Sequence, residues 1–202
     1  METLAPFRLT VCGLDELADV GGNRPSHVLS ILDPDWPVPE AFGDYGEHDK
    51  LELRFHDIIE DLPGQIAPQH EHVEALLAFG RDLMTEPPAE AHLLVHCHAG
   101  ISRSTAAMTL ILAQFLPKVP APEIFAEVLR IREKAWPNLR MLEMGDAMLG
   151  RGGAFPAAAH AIYRQQLERR PFLWDFMSNL HRQRELAQSP RPDASTPAAA
   201  RP

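Results

Sequence analysis

Cysteine is nearly absent: the 202-residue chain holds two, Cys12 and Cys97, too few for a disulfide framework. A long apolar run is missing too. The longest, at residues 106–116, falls well short of the roughly 20 residues a helix needs to span a bilayer. The opening METLAPFRLTVCGLDEL has neither the basic start nor the apolar core of a signal peptide. The expectation is a cytoplasmic protein with no membrane partner. Positive charge is in deficit, with a formal net charge of −9, which argues against a general nucleic-acid binder. Net charge still allows one small positive pocket. There are ten histidines, but no carboxylate or cysteine stands with them at zinc-finger spacing. His96 and His98 flank Cys97 on an opposed face, and His70 and His72 diverge on a helix. No metal and no cofactor is expected.

What is present reads as strands alternating with helices. FRLTVC (7–12), SHVLSILD (26–33), LELRFHDI (51–58) and AHLLVHC (91–97) carry strand-like apolar content. The last is apolar on both faces, as in the middle of a parallel sheet. DPDWPVPEAFGDYGEHDK is dense in proline, glycine and aspartate and reads as a long loop of the kind that often carries function. Helical spacing appears in PQHEHVEALLAFGRDLM, in the almost wholly apolar segment 103–116, after Pro122, and in RMLEMGDAML. Beyond Pro156 only helices follow, at 157–169 and 172–187. There Phe172, Phe176 and Leu180 share one face with Leu173 and Met177 beside them, a stripe expected to pack in a core. The last residues, from 188 on, are expected to be disordered. The fold class is α/β: three layers, with a central, mostly parallel sheet of four or five strands flanked by helices. Ligands in such folds sit at the carboxyl ends of the strands, where Cys97 falls.

The chemistry concentrates in LLVHCHAGISRST. A loop leaving a buried strand and entering a helix turns successive N–H groups inward and forms a nest for an anion. Gly100 permits the turn, and Arg103 offers a planar fork for two oxygens of a tetrahedral anion. A thiol at the head of that loop should be stabilised as thiolate and lie below the usual range of about 8.5. That prepares Cys97 for in-line attack on phosphorus. Ser104 is placed to hydrogen-bond the sulfur. A merely structural thiol would leave the charge of Arg103 unexplained at the start of a buried helix.

His96, Cys97, Gly100, Arg103 and Ser104 match the His-Cys-x5-Arg-Ser/Thr signature, and over residues 7–153 the chain resembles the cysteine-dependent protein tyrosine and dual-specificity phosphatases. It is most similar to their small bacterial tyrosine phosphatase-like members. The resemblance implies a catalytic domain at 1–156, a helical extension at 157–187 packed on it, and a tail at 188–202. It implies a phosphomonoester hydrolase acting on phosphotyrosine or phosphoprotein through a cysteinyl-phosphate. Catalytic roles then fall to Cys97, Arg103, Asp57 and Ser104, and substrate binding to His98, Ala99, Gly100, Ile101, Ser102 and Arg103.

RFHDIIED offers three acids for the proton donor. Asp57, directly off the strand, resembles the family's aspartate; Asp61 on the same loop is the alternative, and Glu60 the third. His96 is expected to order the loop rather than carry protons. WPNLR around Asn138 reads as structural. Trp36 either lines the pocket or packs, and Cys12 is a candidate disulfide partner for an oxidised Cys97. A phosphoinositide or small-molecule phosphate phosphatase is the rival within the resemblance, disfavoured because HAGIS holds no lysine. A non-catalytic phosphate-binding module is the rival outside it.

Overall fold

The computed structural model describes residues 4–85 and 91–191. Four strands form one sheet: β1 (Arg8–Cys12), β2 (His27–Leu32), β3 (Asp49–Arg54) and β4 (His92–His96), in the order β1-β4-β2-β3 with every pair parallel. The expected α/β class and parallel sheet are therefore present. β2 and β4 lie in the middle and are buried at every residue, which accounts for their unbroken apolar runs. The pleat divides their side chains. Leu29, Ile31, Leu93 and Val95 enter the large core, whereas Val28 and Leu94 enter a smaller one on the opposite face. Register places Cys12 beside His96 and His96 beside Ser30, so β1 and β4 finish level at the carboxyl edge and β2 runs on to Leu32.

A short α1 (Leu17–Val20) and 3-10 turns cover the smaller core. The large core is covered by α2 (His70–Leu83), α3 (Arg103–Phe115), α4 (Ala121–Ile131), α5 (Leu139–Met148) and α6 (Ala154–Arg169). α3 is buried from Arg103 to Ala113 and packs on β4, α2, α4 and α5. A helix with almost no polar face has no stable place except a centre. Among the described residues no helix is long and apolar enough to cross a membrane.

Several boundaries differ from the sequence reading. β3 starts at Asp49 and ends at Arg54, because the Phe55 carbonyl is taken by Arg103 at 2.6 Å instead of continuing a ladder. α4 begins at Ala121 with Pro122 inside its first turn. α6 begins at Ala154 with Pro156 inside its first turn. An N–H is not needed at those positions, so proline opens a helix there rather than preceding it. Asp146 caps α6 by accepting from the N–H groups of Gly153 and Phe155 at 2.6 and 2.9 Å.

The segment expected as one helix at 172–187 is two, α7 (Leu173–Asn179) and α8 (Gln183–Leu186). Between them His181 takes a left-handed φ of 57° and turns the chain. The apolar stripe is a correction: Phe172, Phe176 and Leu180 are 67%, 52% and 45% exposed, while Met177 is buried. Four-residue spacing establishes that side chains share a face, not that the face meets a core. The expected tail lies outside the described residues from position 192.

Candidate active site

The loop between β4 and α3 is held by its carbonyl groups. His98 O accepts from Leu14 N at 2.9 Å, Ile101 O from Trp136 N at 2.9 Å, and Ser102 O from Asn138 N at 3.3 Å. Arg132, paired with Glu16, donates to Ala99 O at 3.1 Å and Gly100 O at 2.9 Å. With the carbonyl side tied outward, the N–H groups of residues 98–102 have no protein acceptor among the described residues. Such a row of donors makes an anion-binding nest, and the start of α3 adds positive potential. Gly100 is required twice over. Its φ is +65°, and a Cβ there would sit 2.4 Å from the carbonyl carbon of Cys12 and 2.6 Å from Gly13 N. Backbone cannot move aside as a side chain can. Gly100→Ala is expected to cost about 3 kcal/mol in urea unfolding and to weaken phosphate binding in the same sample.

Cys97 lies at the head of this loop, buried, with Sγ 3.2 Å from Ser104 Oγ. Arg103 is 2% exposed. Its Nη1 is anchored by Asp33 Oδ1 and by Phe55 O, both at 2.6 Å, while its buried Nε has no protein partner. Asp33, at the carboxyl end of β2, thus fixes the guanidinium and leaves Nε available to an anion. Sequence reasoning missed Asp33. The one available signal was an acid directly after a central parallel strand.

Asp57 reaches this loop and Asp61 does not. Asp57 Oδ1 accepts from Ser102 Oγ at 2.7 Å, Asn138 Nδ2 at 2.9 Å and Arg182 Nη1 at 3.2 Å. Burial works against its charge, but Arg182 and then Arg103, helped by the Ser102 and Asn138 donors, hold the carboxyl below its ordinary value. Asp61 instead pairs with Arg140 at 2.9 Å on the surface, and Glu60 with Arg184 at 2.5 Å. Asn138 also caps α5, its Oδ1 accepting from Met141 N at 3.1 Å. The structural reading of WPNLR is therefore half of its role, since the same side chain holds Asp57.

The histidines divide as their surroundings dictate. His96 Nε2 meets Ser30 Oγ at 2.8 Å, and burial pushes its pKa down to about 4. It is neutral at ordinary pH and braces the strand end. His98 is lowered by burial and then by Arg103, so its neutral ring accepts from Asp33 N at 3.2 Å. Trp36, from the long loop, lies against His98 with ring centroids 4.5 Å apart and is 45% exposed at the rim. Both cysteines are free, and they belong to different apolar clusters. Burial and then Glu16 push the Cys12 thiol up to about 12. The His72 ring lies tilted against Phe55, with centroids 4.6 Å apart. Among the described residues no group of three or more His, Cys, Asp or Glu is placed to hold a metal.

Beside Asp57 opens an apolar cavity of about 430 Å³. Ile101 and Trp136 line it together with Phe172, Phe176, Met177 and Leu180 from the C-terminal helices. Lys134 and Arg170 stand on its lining as well. The exposed stripe thus faces the site's neighbourhood instead of a core.

No family model matches the chain, and no curated protein matches it in sequence. Its fold matches solved structures. Human DUSP28 aligns over 75% of this chain and 100% of its own, with TM-score 0.54 and 18% identity. The human tyrosine phosphatase-like serine/threonine/tyrosine-interacting protein aligns over 75% and 96%, with TM-score 0.54 and 17% identity. PTPMT1 in complex with PI(5)P aligns over 74% and 94%, with TM-score 0.53 and 14% identity. At these identities the likeness is one of fold.

Proposed function

We propose that this chain, built on the dual-specificity phosphatase fold, hydrolyses phosphomonoesters through a cysteinyl-phosphate intermediate and needs no metal. The observation that carries the reading is the loop that starts at Cys97: the carbonyls of residues 98–102 are taken by protein donors, while among the described residues their N–H groups and Arg103 Nε have no protein partner. The amides and Arg103 supply the charge that a metal would otherwise bring to the phosphoryl oxygens. Cys97, as thiolate, attacks phosphorus while the bond to the leaving oxygen breaks, and Asp57 gives that oxygen its proton. Water then attacks phosphorus, its proton passes to the Asp57 carboxylate, and the S–P bond breaks. Ser104, 3.2 Å from Sγ, donates to the departing thiolate. His98, Ala99, Gly100, Ile101 and Ser102 frame the phosphate.

The apolar cavity beside Asp57 takes the body of the leaving group. Ile101, Trp136 and Phe176 suit an aromatic ring, so aryl phosphates of the phosphotyrosine type are the favoured substrates. A panel of phosphotyrosine, phosphoserine and phosphoinositide substrates tests this. Faster turnover of phosphoinositide than of phosphotyrosine peptide would reverse the assignment, and silence on every aryl phosphate would leave only a phosphate-binding module.

The acid has its own test. Because Asp57 is held ionised, its proton-donating form grows as pH falls, so kcat/KM on poor leaving groups should climb toward acid pH. Asp57→Asn is expected to remove that climb and lower kcat about 100-fold with KM nearly unchanged. Asp61→Asn should behave as wild type; the opposite pattern would exchange the two roles.

A further inference from the structure

We propose that Arg182, contributed by the C-terminal helices, is a positioning residue that clamps Asp57 to the phosphate loop and biases the site toward leaving groups that need little protonation. The inference rests on Asp57 as the proton-transfer group. Arg182 lies outside residues 7–153, where the sequence resembles the phosphatases, and nothing in the local run HRQREL marks it.

The clamp is a closed circuit of side chains. Arg182 is 2% exposed. Its Nη1 donates to Asp57 Oδ1 at 3.2 Å, and its Nη2 donates to Ser102 Oγ at 2.9 Å, so one guanidinium touches both the acid and the loop. Ser102 in turn donates to Asp57 at 2.7 Å. Behind it, Glu185 accepts from Arg182 Nε and Nη2, both at 2.7 Å. Glu185 also accepts from Trp136 Nε1 at 2.5 Å and Leu139 N at 3.1 Å, and Trp136 N holds Ile101 O of the loop. The left-handed turn at His181 aims Arg182 inward, where its own N–H is held by Met177 O at 3.1 Å. Burial opposes the guanidinium charge, but Glu185 and Asp57 more than restore it.

The bond pattern has a chemical consequence. All three donors converge on Asp57 Oδ1; among the described residues none donates to Oδ2, which leaves that oxygen for the leaving group and for water. A carboxyl gripped this way is ready as the base of the water step. As an acid it is scarce at neutral pH, which penalises alkoxide leaving groups more than phenoxides. The charged and titratable groups around it are Arg182, Arg103 from α3 and His98 from the loop. Glu185 lies behind Arg182, Tyr163 of α6 senses Asp57, and Lys134 and Arg170 share the cavity.

Arg182→Met alone would strand the buried Glu185 carboxylate and threaten folding. The test therefore uses the Arg182→Met, Glu185→Gln pair and, separately, Arg182→Lys, which keeps a positive charge opposite Glu185 but not the fork. Two readouts are needed: the carboxyl titration of Asp57 by carbon-13 NMR, and pH profiles of kcat/KM for an aryl and an alkyl phosphate. Expected are a titration of Asp57 displaced to higher pH, a basic limb displaced with it, and an aryl-to-alkyl preference reduced about tenfold. Arg182→Lys should move each of these in the same direction but less. An Asp57 titration unchanged in both variants would overturn the clamp, whatever the activity. A displaced titration with unchanged profiles, or with no effect of Asp57→Asn, would overturn Asp57 as the proton-transfer group and not the contact itself.

Discussion

Cys97→Ser is expected to abolish turnover of aryl phosphates, a loss on the order of 10⁵ in kcat, with the fold retained. The substitution exchanges one buried atom for a smaller one. Cys97 is 2% exposed and its Sγ touches Ser104 Oγ at 3.2 Å, a contact that a hydroxyl also makes. The nest of amides and Arg103 is untouched, so phosphate should still bind. What disappears is the nucleophile, because a serine hydroxyl is far harder to ionise than a thiol and nothing nearby serves as its base. His96 is neutral and engaged with Ser30 at 2.8 Å, and among the described residues Asp57 makes no hydrogen bond to Cys97, whose sulfur meets Ser104. The measurement is release of phenolate, with and without EDTA, beside a melting curve and a phosphate-binding titration. Wild type should keep its full rate in EDTA. Residual turnover in the variant within tenfold of wild type would show that the bond-forming step is not at Cys97.

Arg103→Lys carries the second largest effect, about 10³ in kcat/KM, with a larger loss for Arg103→Ala. Lysine keeps the charge, so a purely Coulombic role would survive the exchange. The structure points to a directional role instead. Asp33 and Phe55 O take Nη1 at 2.6 Å each, which fixes the plane of the guanidinium and leaves the buried Nε without a protein partner. A lysine ammonium cannot satisfy Asp33 and Phe55 and reach the phosphoryl oxygens at once. Both kcat and KM should suffer, since the fork holds the ground-state anion as well as the charge that spreads over phosphorus in transit. A variant that lost only KM would indicate simple anion attraction.

Much of this site is legible in a dozen consecutive residues. His96 to Ser104 lie on one strand end, one loop and one helix start, and their relation is set by backbone geometry over that short distance. Asp57 stands out in the sequence by its resemblance to the family's aspartate, as an acid just off the third strand, and β3 ends three residues before it, at Arg54. The apolar run HLLVH likewise announced a central parallel strand, since burial on both faces explains it, whereas HVLSIL announced a strand whose central place came only with the sheet order.

What the sequence by itself determined about this protein was a parallel α/β frame and a nest-forming loop with a thiol at its head. Both follow from periodicity and from short-range chain geometry. Only the tertiary structure decided what grips that loop. Asp33 meets Arg103 across 70 positions and Arg182 meets Asp57 across 125. The stripe of Phe172, Phe176 and Leu180 opened toward the cavity beside Asp57 instead of a core. Those contacts depend on where the C-terminal helices dock, and docking is settled by the burial of Met177, Tyr163 and Leu186 together with the Arg182–Glu185 pair. No local pattern encodes that sum, because each term matters only once the others have brought the helices to the sheet.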